Sequence, residues 1–263
     1  MAERARWDPA QYARFAAERR QPFDDLVDLC HSVNGGRIVD LGCGPGTLTV
    51  ELHRALGASS TLGIDSSEAM VAEARQTYAA VPGVTFALGD LSQWTGRGLD
   101  LVVASASLQW VDGHEPLLAQ LHRSLGPNGQ LAFQVPANFS HPSHVLAAEV
   151  AKEPRFARAL GPDAPRDRGL SVLRPEHYAT VLHDLGATTQ RVRLEVYGHE
   201  LASTDEVVAW VEGTLLTSYR ERLDPPTYGD FVARYRTRLV EELGASTPYF
   251  YAFPRILCWA QFP

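Results

Sequence analysis

Three acidic residues each close a short apolar run in the first third of the chain. Asp40 ends "RIVD", Asp65 ends "TLGID", and Asp90 follows Gly89 after "VTFAL". Between the first two runs lies "DLGCGPG", with glycines at 42, 44 and 46. An apolar run, a glycine-rich turn and a helix form a nucleotide-binding plan, and the carboxylates decide which nucleotide. A dinucleotide fingerprint is G-x-G-x-x-G, with a helix N-terminus receiving the pyrophosphate. Here the third glycine comes one residue early. Asp40 stands directly before the loop, where a carboxylate repels a pyrophosphate and favours an ammonium group. S-adenosylmethionine carries that ammonium and a sulfonium, and has no phosphate. Asp65 lies 25 residues after Asp40, where a strand-end carboxylate accepts ribose hydroxyls. Asp90 can accept from an adenine amino group. Each aspartate alone reads equally well as a turn or helix-capping residue, but three around one glycine loop point to the cofactor. The candidate cofactor-binding set is Asp40, Gly42, Gly44, Asp65, Ser66, Met70, Gly89, Asp90, Leu91, Ala104 and Ser105. Cys43 reads as a small space-filler within the loop.

The elements that must position these groups follow from periodicity. Residues 37–41, 61–64, 84–88, 99–104 and 130–135 are short apolar runs, the signature of parallel strands buried on both faces. Leu48, Leu52 and Leu56 form one helical stripe, and Ser66 and Ser67 open a second helix over residues 68–78. Repeated strand and helix predict an α/β, doubly wound sheet with right-handed crossovers. After Pro136 the rhythm breaks. A helix is expected over residues 144–152, then a loop through "EPRFARALGPDAPRDRG" that reads as a lid. A helix over residues 175–185, a strand over 188–201, a capped amphipathic helix over 203–219, another over 228–243 and a final strand over 249–262 complete the chain.

Composition narrows the function. At 263 residues, 45% of them apolar, the length suits one domain with an insertion. The formal charge of −7 gives no field that would attract nucleic acid. Of the 24 basic residues only Lys152 is a lysine. Arginine suits two-pronged recognition of carboxylates. Cys30, Cys43 and Cys258 form no CxxC pair, so neither a zinc site nor a disulfide framework is indicated, and no metal is expected. The charged first twenty residues are unlike a signal peptide, and no run of 18 apolar residues occurs. A cytoplasmic protein without membrane association is the expectation, as a monomer or weak dimer.

"ASASLQWVDGHEPLL", "WDPAQYARFAAERRQPF" near the start, "QVPANFSHPSHVL" and "AFPRILCWA" in this order resemble the bacterial trans-aconitate 2-methyltransferases. The resemblance runs from Trp7 to nearly the end and is weakest over residues 153–172. It implies a seven-stranded class I methyltransferase (Rossmann-like) sheet as one domain over residues 1–263. It also implies methyl esterification of one carboxylate of a small polycarboxylic acid. The N-terminal helix 8–30 and the segments 137–173 and 203–245 are then expected to form a helical cap.

A carboxylate nucleophile is already ionised at neutral pH and needs no general base, so such a site needs anchors and placement. Tyr12 and Arg19 share one face of the N-terminal helix and could face the substrate, or lie on a solvated surface. Arg255 sits in an apolar strand and needs a buried partner, which a substrate carboxylate or an internal glutamate would provide. Gln109 and Trp110 follow the fourth strand, where ligands enter open α/β sheets, although core packing explains Trp110 as well. Gln134, Asn138 and His144 could reach substrate oxygens, or act as turn and capping residues. His144 would be a general base only for a phenol or an amine. Two alternatives therefore stand beside the polycarboxylate reading: an O- or N-methyltransferase of a secondary metabolite, and a non-catalytic S-adenosylmethionine-binding subunit. A nicotinamide-dependent oxidoreductase is disfavoured by the glycine register and Asp40.

Overall fold

The structure is a computed structural model that describes residues 16–165, 169 and 171–263, with only the backbone course given for 16–19 and 163. A seven-stranded sheet in the order β3-β2-β1-β4-β5-β7-β6 organises it. Its strands are β1 (Arg37–Leu41), β2 (Ser60–Asp65), β3 (Val84–Leu88), β4 (Leu99–Ser105), β5 (Leu125–Pro136), β6 (Thr189–Leu201) and β7 (Tyr249–Gln261). β1 to β5 pair in parallel, and β7 joins β5 antiparallel. The expected doubly wound α/β class is therefore present. The helices are α1 (Ala16–Val27), α2 (Thr47–Ala55), α3 (Glu68–Thr77), α4 (His114–His122), α5 (Pro142–Ala151), α6 (Pro154–Leu160), α7 (Pro175–Asp184), α8 (Asp205–Glu212), α9 (Thr217–Arg220) and α10 (Pro225–Leu243). Among the described residues no helix is long and apolar enough to cross a membrane.

The chain divides into two compact units. The first described unit comprises residues 16–137, 171–195 and 254–263. On one sheet face Val39, Leu41, Ile64, Val102, Ala104, Phe133 and Ile256 join α4 and α7 in a continuous core. On the other, Cys43, Val50, Val71, Ala74, Val84 and Phe86 pack α2 and α3 against the sheet. α1 lies along β5 on that second face, where Gln130 accepts from the His31 amide at 2.7 Å and donates to the His31 carbonyl at 2.9 Å.

The second unit comprises, among the described residues, 138–165, 169 and 196–253 and has a core of its own. Phe231, Tyr235 and Leu239 of α10 meet Leu146, Ala147 and Val150 of α5, with Trp210, Tyr219 and Tyr251 around them. Arg234, Arg236 and Arg238 pair with Glu153, Asp205 and Glu149 along the exposed side of α10. Such exposed pairs contribute little each, so the aromatic core carries the stability.

Three expectations change here. The lid-like loop begins instead with α6, whose Phe156 and Leu160 are buried and whose first residue is Pro154. Seven residues with two core positions give too little periodicity to read. The helix expected over residues 203–219 is two helices, α8 and α9, interrupted after Glu212 near Gly213. Thr204 stands at the N-cap position, but its hydroxyl donates to the Gly244 carbonyl at 2.7 Å and accepts from the Ser246 amide at 3.0 Å, and it accepts from no helix amide. The fifth strand begins at Leu125, five residues before its apolar run, because Leu125 already pairs with Leu99; the register then shifts and pairing resumes at Gln130 opposite Leu101.

A buried pair fixes the turn that follows β4. Nε2 of His114 faces the Leu108 carbonyl at 2.9 Å, so this nitrogen carries the proton and Nδ1 accepts from the Tyr178 hydroxyl. Burial lowers the His114 pKa and so favours this neutral tautomer. Tyr178 is fully buried and also accepts from the Leu173 amide. Tyr178→Phe would strand both partners. Urea titration should show it less stable by about 1 to 3 kcal/mol, the cost of leaving buried polar groups unpaired.

Candidate active site

The strand registers place five polar side chains on one sheet face. Asp40 of β1 is opposite Gly63 of β2 and Val103 of β4, so Asp65 and Ser105, each two residues further on, share its face. Ser105 is opposite Gln134 of β5, and Gln134 is opposite Leu257 of β7, two residues from Arg255. The resulting row reads Asp65, Asp40, Ser105, Gln134, Arg255 across β2, β1, β4, β5 and β7. It is acidic at one end and basic at the other.

Asp40 is 3% exposed and accepts from the Thr49 hydroxyl of α2 at 2.6 Å. Burial pushes its carboxyl up to about 6; the Thr49 bond opposes this, and the neighbouring Asp65 adds to it. Asp65 accepts from the Gly44 amide at 2.9 Å and the Ser67 amide at 2.8 Å. Burial raises its carboxyl too, against the lowering effect of the Ser67, Gly44 and Ser66 amides. Thr49 is a partner of Asp40 that the sequence did not disclose. Its signal was only a hydroxyl three residues into the helix that leaves the glycine loop.

The loop itself has no amides to spare. Gly42 and Cys43 both donate to the Ile64 carbonyl, Gly44 donates to Asp65, Gly46 donates to the Cys43 carbonyl, and Pro45 has no N–H. A pyrophosphate is bound by such amides, so a loop that has committed all of them is poorly suited to a dinucleotide. Two glycines are required sterically. Gly42 has φ +85°, and an added Cβ would lie 2.3 Å from that of Ser107. Gly46 also has φ +85°, and its Cβ would meet the Phe86 ring at 2.6 Å. Ser107, likewise unforeseen, donates to the Leu41 carbonyl and locks the loop against β4. Cys43 is buried against Val50, Val71 and Phe86, which agrees with a space-filling role, and burial pushes its thiol up.

Of the remaining cofactor candidates, Ser66 is exposed beside Asp65, and Met70 is buried in α3, its amide held by the capping Ser67. Gly89 donates its amide to the Asp65 carbonyl. Asp90 accepts from the amide and hydroxyl of Ser92, at 2.9 and 2.7 Å. Leu91 is half-buried against the core. The Ala104 side chain points into the opposite core, so only its backbone can face this site.

Among the acid-binding candidates, Arg255 is 4% exposed, and its Nη1 donates to Gln134 Oε1 at 2.8 Å. Gln109 is buried in the short turn Leu108–Trp110, donating to the Ala106 carbonyl at 2.7 Å, and its Oε1 has no partner among the described residues. Trp110 is half-buried in the same turn. Asn138 and His144 fall in the other unit. There Asn138 bonds the Tyr251 hydroxyl and His144 Nδ1 lies 3.1 Å from Ser143 Oγ. Tyr12 and the Arg19 side chain lie outside the described residues. The described residues contain no group of three or more His, Cys, Asp or Glu arranged to hold a metal.

Comparison with known proteins places this arrangement in context. The sequence profile of the family described as "Methyltransferase domain" matches residues 38–129. Trans-aconitate 2-methyltransferase of Methylobacterium nodulans is 40% identical, over 90% of this chain and 90% of its own. The enzyme of the same name from Deinococcus radiodurans is 37% identical, over 98% of each chain. Among solved structures, the YcgJ protein of a Bacillus species superimposes with a TM-score of 0.59 over 92% of this chain and 98% of its own, at 10% identity, a likeness of fold alone.

The raised Asp40 carboxyl makes a prediction. Between pH 3.8 and about 6 the folded protein holds a proton that the unfolded chain has lost. Stability therefore falls as pH rises through that window, and the full penalty is present above it. Asp40→Asn removes the charge and keeps an acceptor for Thr49. Without cofactor, it should be more stable than the parent at pH 8 by about 2 to 3 kcal/mol. The difference should vanish near pH 4 when denaturation is followed across that range.

Proposed function

The chain belongs to the trans-aconitate 2-methyltransferases, a family of S-adenosylmethionine-dependent enzymes, and from that premise we propose that it esterifies one carboxylate of a small polycarboxylic acid, trans-aconitate. The observation that carries this reading is the charge order of the row across the sheet: carboxylates at β2 and β1, a guanidinium at β7. A cationic methyl donor suits the first end and a polyanion the second.

When bound, S-adenosylmethionine supplies a methyl group on a sulfonium, which an in-line carboxylate oxygen takes as the sulfur leaves as a neutral thioether. The residues present fit that donor. Asp40 receives the ammonium, which offsets the burial penalty behind its raised carboxyl. Asp65 accepts the ribose hydroxyls beside its bonds to the loop amides, and Asp90 with Gly89 faces the adenine edge. Ser66, Met70 and Leu91 flank these groups. Gly42 and Gly44 let the chain pass close by without a side chain in the way.

At the other end Arg255 holds a carboxylate that does not react, and Gln109 and Trp110 border the place where the acid enters. Tyr12 and Arg19 belong to the same acid-binding proposal on the strength of the family resemblance. Since a carboxyl group with a reference pKa of about 4 is ionised at neutral pH, no residue has to remove a proton. His144 is then not required as a base. The protein contributes placement, which can supply about 7 to 11 kcal/mol where a nucleophile is held in line with its target. The proposal sets this chemistry in the cytoplasm, where the three free cysteines stay reduced, in a monomer or weak dimer. A net charge of −7 favours a small-molecule acceptor over nucleic acid.

The test is incubation with methyl-labelled S-adenosylmethionine and trans-aconitate, cis-aconitate, citrate or isocitrate. Label should enter a base-labile ester, with trans-aconitate preferred, and the rate should be nearly flat from about pH 7 to 9, because a carboxylate has no proton to lose there. No ester from any of the acids would remove the substrate assignment. A rate that climbs about tenfold per pH unit over that range would mean that a group must lose a proton before transfer, and would overturn the reading of a carboxylate that needs placement alone.

A further inference from the structure

We propose that Gln134 is a positioning residue for the acid, one that fixes Arg255 and at the same time makes the Ser105 hydroxyl an obligate donor to the substrate. What each group can donate or accept decides the arrangement. A guanidinium only donates. Arg255 Nη1 lies 2.8 Å from Gln134 Oε1, so the amide oxygen must face β7. The amide nitrogen must then face β4, where it lies 3.0 Å from Ser105 Oγ. A flipped amide would set N–H against N–H at Arg255, so the usual ambiguity of a glutamine side chain is removed here. Ser105 therefore accepts from Gln134, and its own proton is left to point at a third group.

Burial makes this relay a constraint on geometry. Gln134 is 2% exposed and Arg255 4% exposed, so water does not compete for either bond. The backbone carbonyl of Gln134 also accepts from the Ala106 amide at 2.9 Å, in the turn that leaves β4. Ala106 has φ +54°, a left-handed conformation that a non-glycine residue holds only under constraint. One residue of β5 thus fixes a cation on β7, a hydroxyl at the end of β4 and the backbone beyond it. Fully ionised trans-aconitate has acceptors and no donors. A site for it needs fixed N–H and O–H groups, and the relay yields one of each. Ser105 is accordingly reassigned from the cofactor to the acid.

This inference rests on the reading that the acid binds at Arg255, and the variants are chosen to separate the two. Gln134→Glu is nearly isosteric and keeps both contacts, but both its oxygens accept. Ser105 would have to donate inward, and Arg255 would be neutralised by a fixed anion. A residue that only filled space and completed bonds would be served equally well by glutamate. The KM for trans-aconitate should rise about tenfold or more, the effect of losing a charge-assisted bond to the acid. The kcat should stay within about threefold and the Kd for S-adenosylhomocysteine, measured by calorimetry, within about twofold.

Gln134→Leu should also raise KM, and Gln134→Glu carries the test if the leucine variant does not fold. Ser105→Ala should raise KM as well, with little further effect when combined with Gln134→Glu, since both act through one hydroxyl. A KM within about twofold of the parent in Gln134→Glu, or a rise in the cofactor Kd in place of KM, would overturn the inference. If the parent protein esterified no acid, the underlying reading would fail first and take this inference with it.

Discussion

The burial of ionisable groups on one face of a sheet is the constraint from which the rest of the site follows. Asp40 at 3% exposure and Arg255 at 4% stand near opposite ends of one row and each would be costly if left without a partner. The protein meets that cost by different means at the two residues. Asp40 receives one hydroxyl bond and remains raised to about 6, whereas Arg255 is held by an amide that is itself held by a serine. The incomplete compensation at Asp40 leaves an anion that a cationic ligand can stabilise. Electrostatic selectivity thus arises from where water is excluded, and the net charge of the chain has little to do with it.

Keeping such a row intact depends on the two-faced character of the strands. In β5, Leu131, Phe133 and Val135 enter the core with α4 and α7, while Gln130 and Gln134 point the other way. In β7, Ile256, Cys258 and Ala260 join that same core, and Arg255 and Trp259 face Gln134 and Gln130. The apolar face supplies the stabilising burial. That leaves the other face able to carry polar groups whose positions are set by register alone. Slipping β7 by one residue would place Arg255 in the apolar core, so the packing of Phe133 and Ile256 is also what aims the guanidinium.

Much of this was readable before the structure because the signals were local. The strand carrying Asp40, the cap at Ser67 and the helix after it follow from runs of a few residues, and β3 begins and ends where its apolar run does. The strand ends that carry Asp40 and Asp65 were therefore legible. The basic end was less so. Gln134 and Arg255 are 121 residues apart, and nothing in either neighbourhood announces that one bonds the other. Arg255 could be seen to need a partner, yet glutamate and substrate were equally good guesses, and the Gln134 amide was not among them. Thr49 and Ser107 were invisible for a similar reason, since a hydroxyl in a helix or turn is common and only the fold brings it to Asp40 or Leu41. α6 was missed because its two core residues, Phe156 and Leu160, take their meaning from Phe231 of α10.

The two ends of the row also differ in what they can specify. A glycine loop with committed amides and a carboxylate at each neighbouring strand end suits one class of cofactor, whatever the acceptor. The resemblance of fold to a Bacillus protein at 10% identity accordingly says nothing about the acceptor. On the proposed reading, selectivity for the acceptor rests on the other end of the row, the β4, β5 and β7 side. A cation held by Gln134 cannot follow a displaced substrate as a free arginine could, since moving it would strand a buried amide and release Ser105. Rigid donors of this kind discriminate by position. An acid whose carboxylates are spaced differently leaves one of them unmet, and the loss is felt in acid binding while the methyl-donor end is left unchanged.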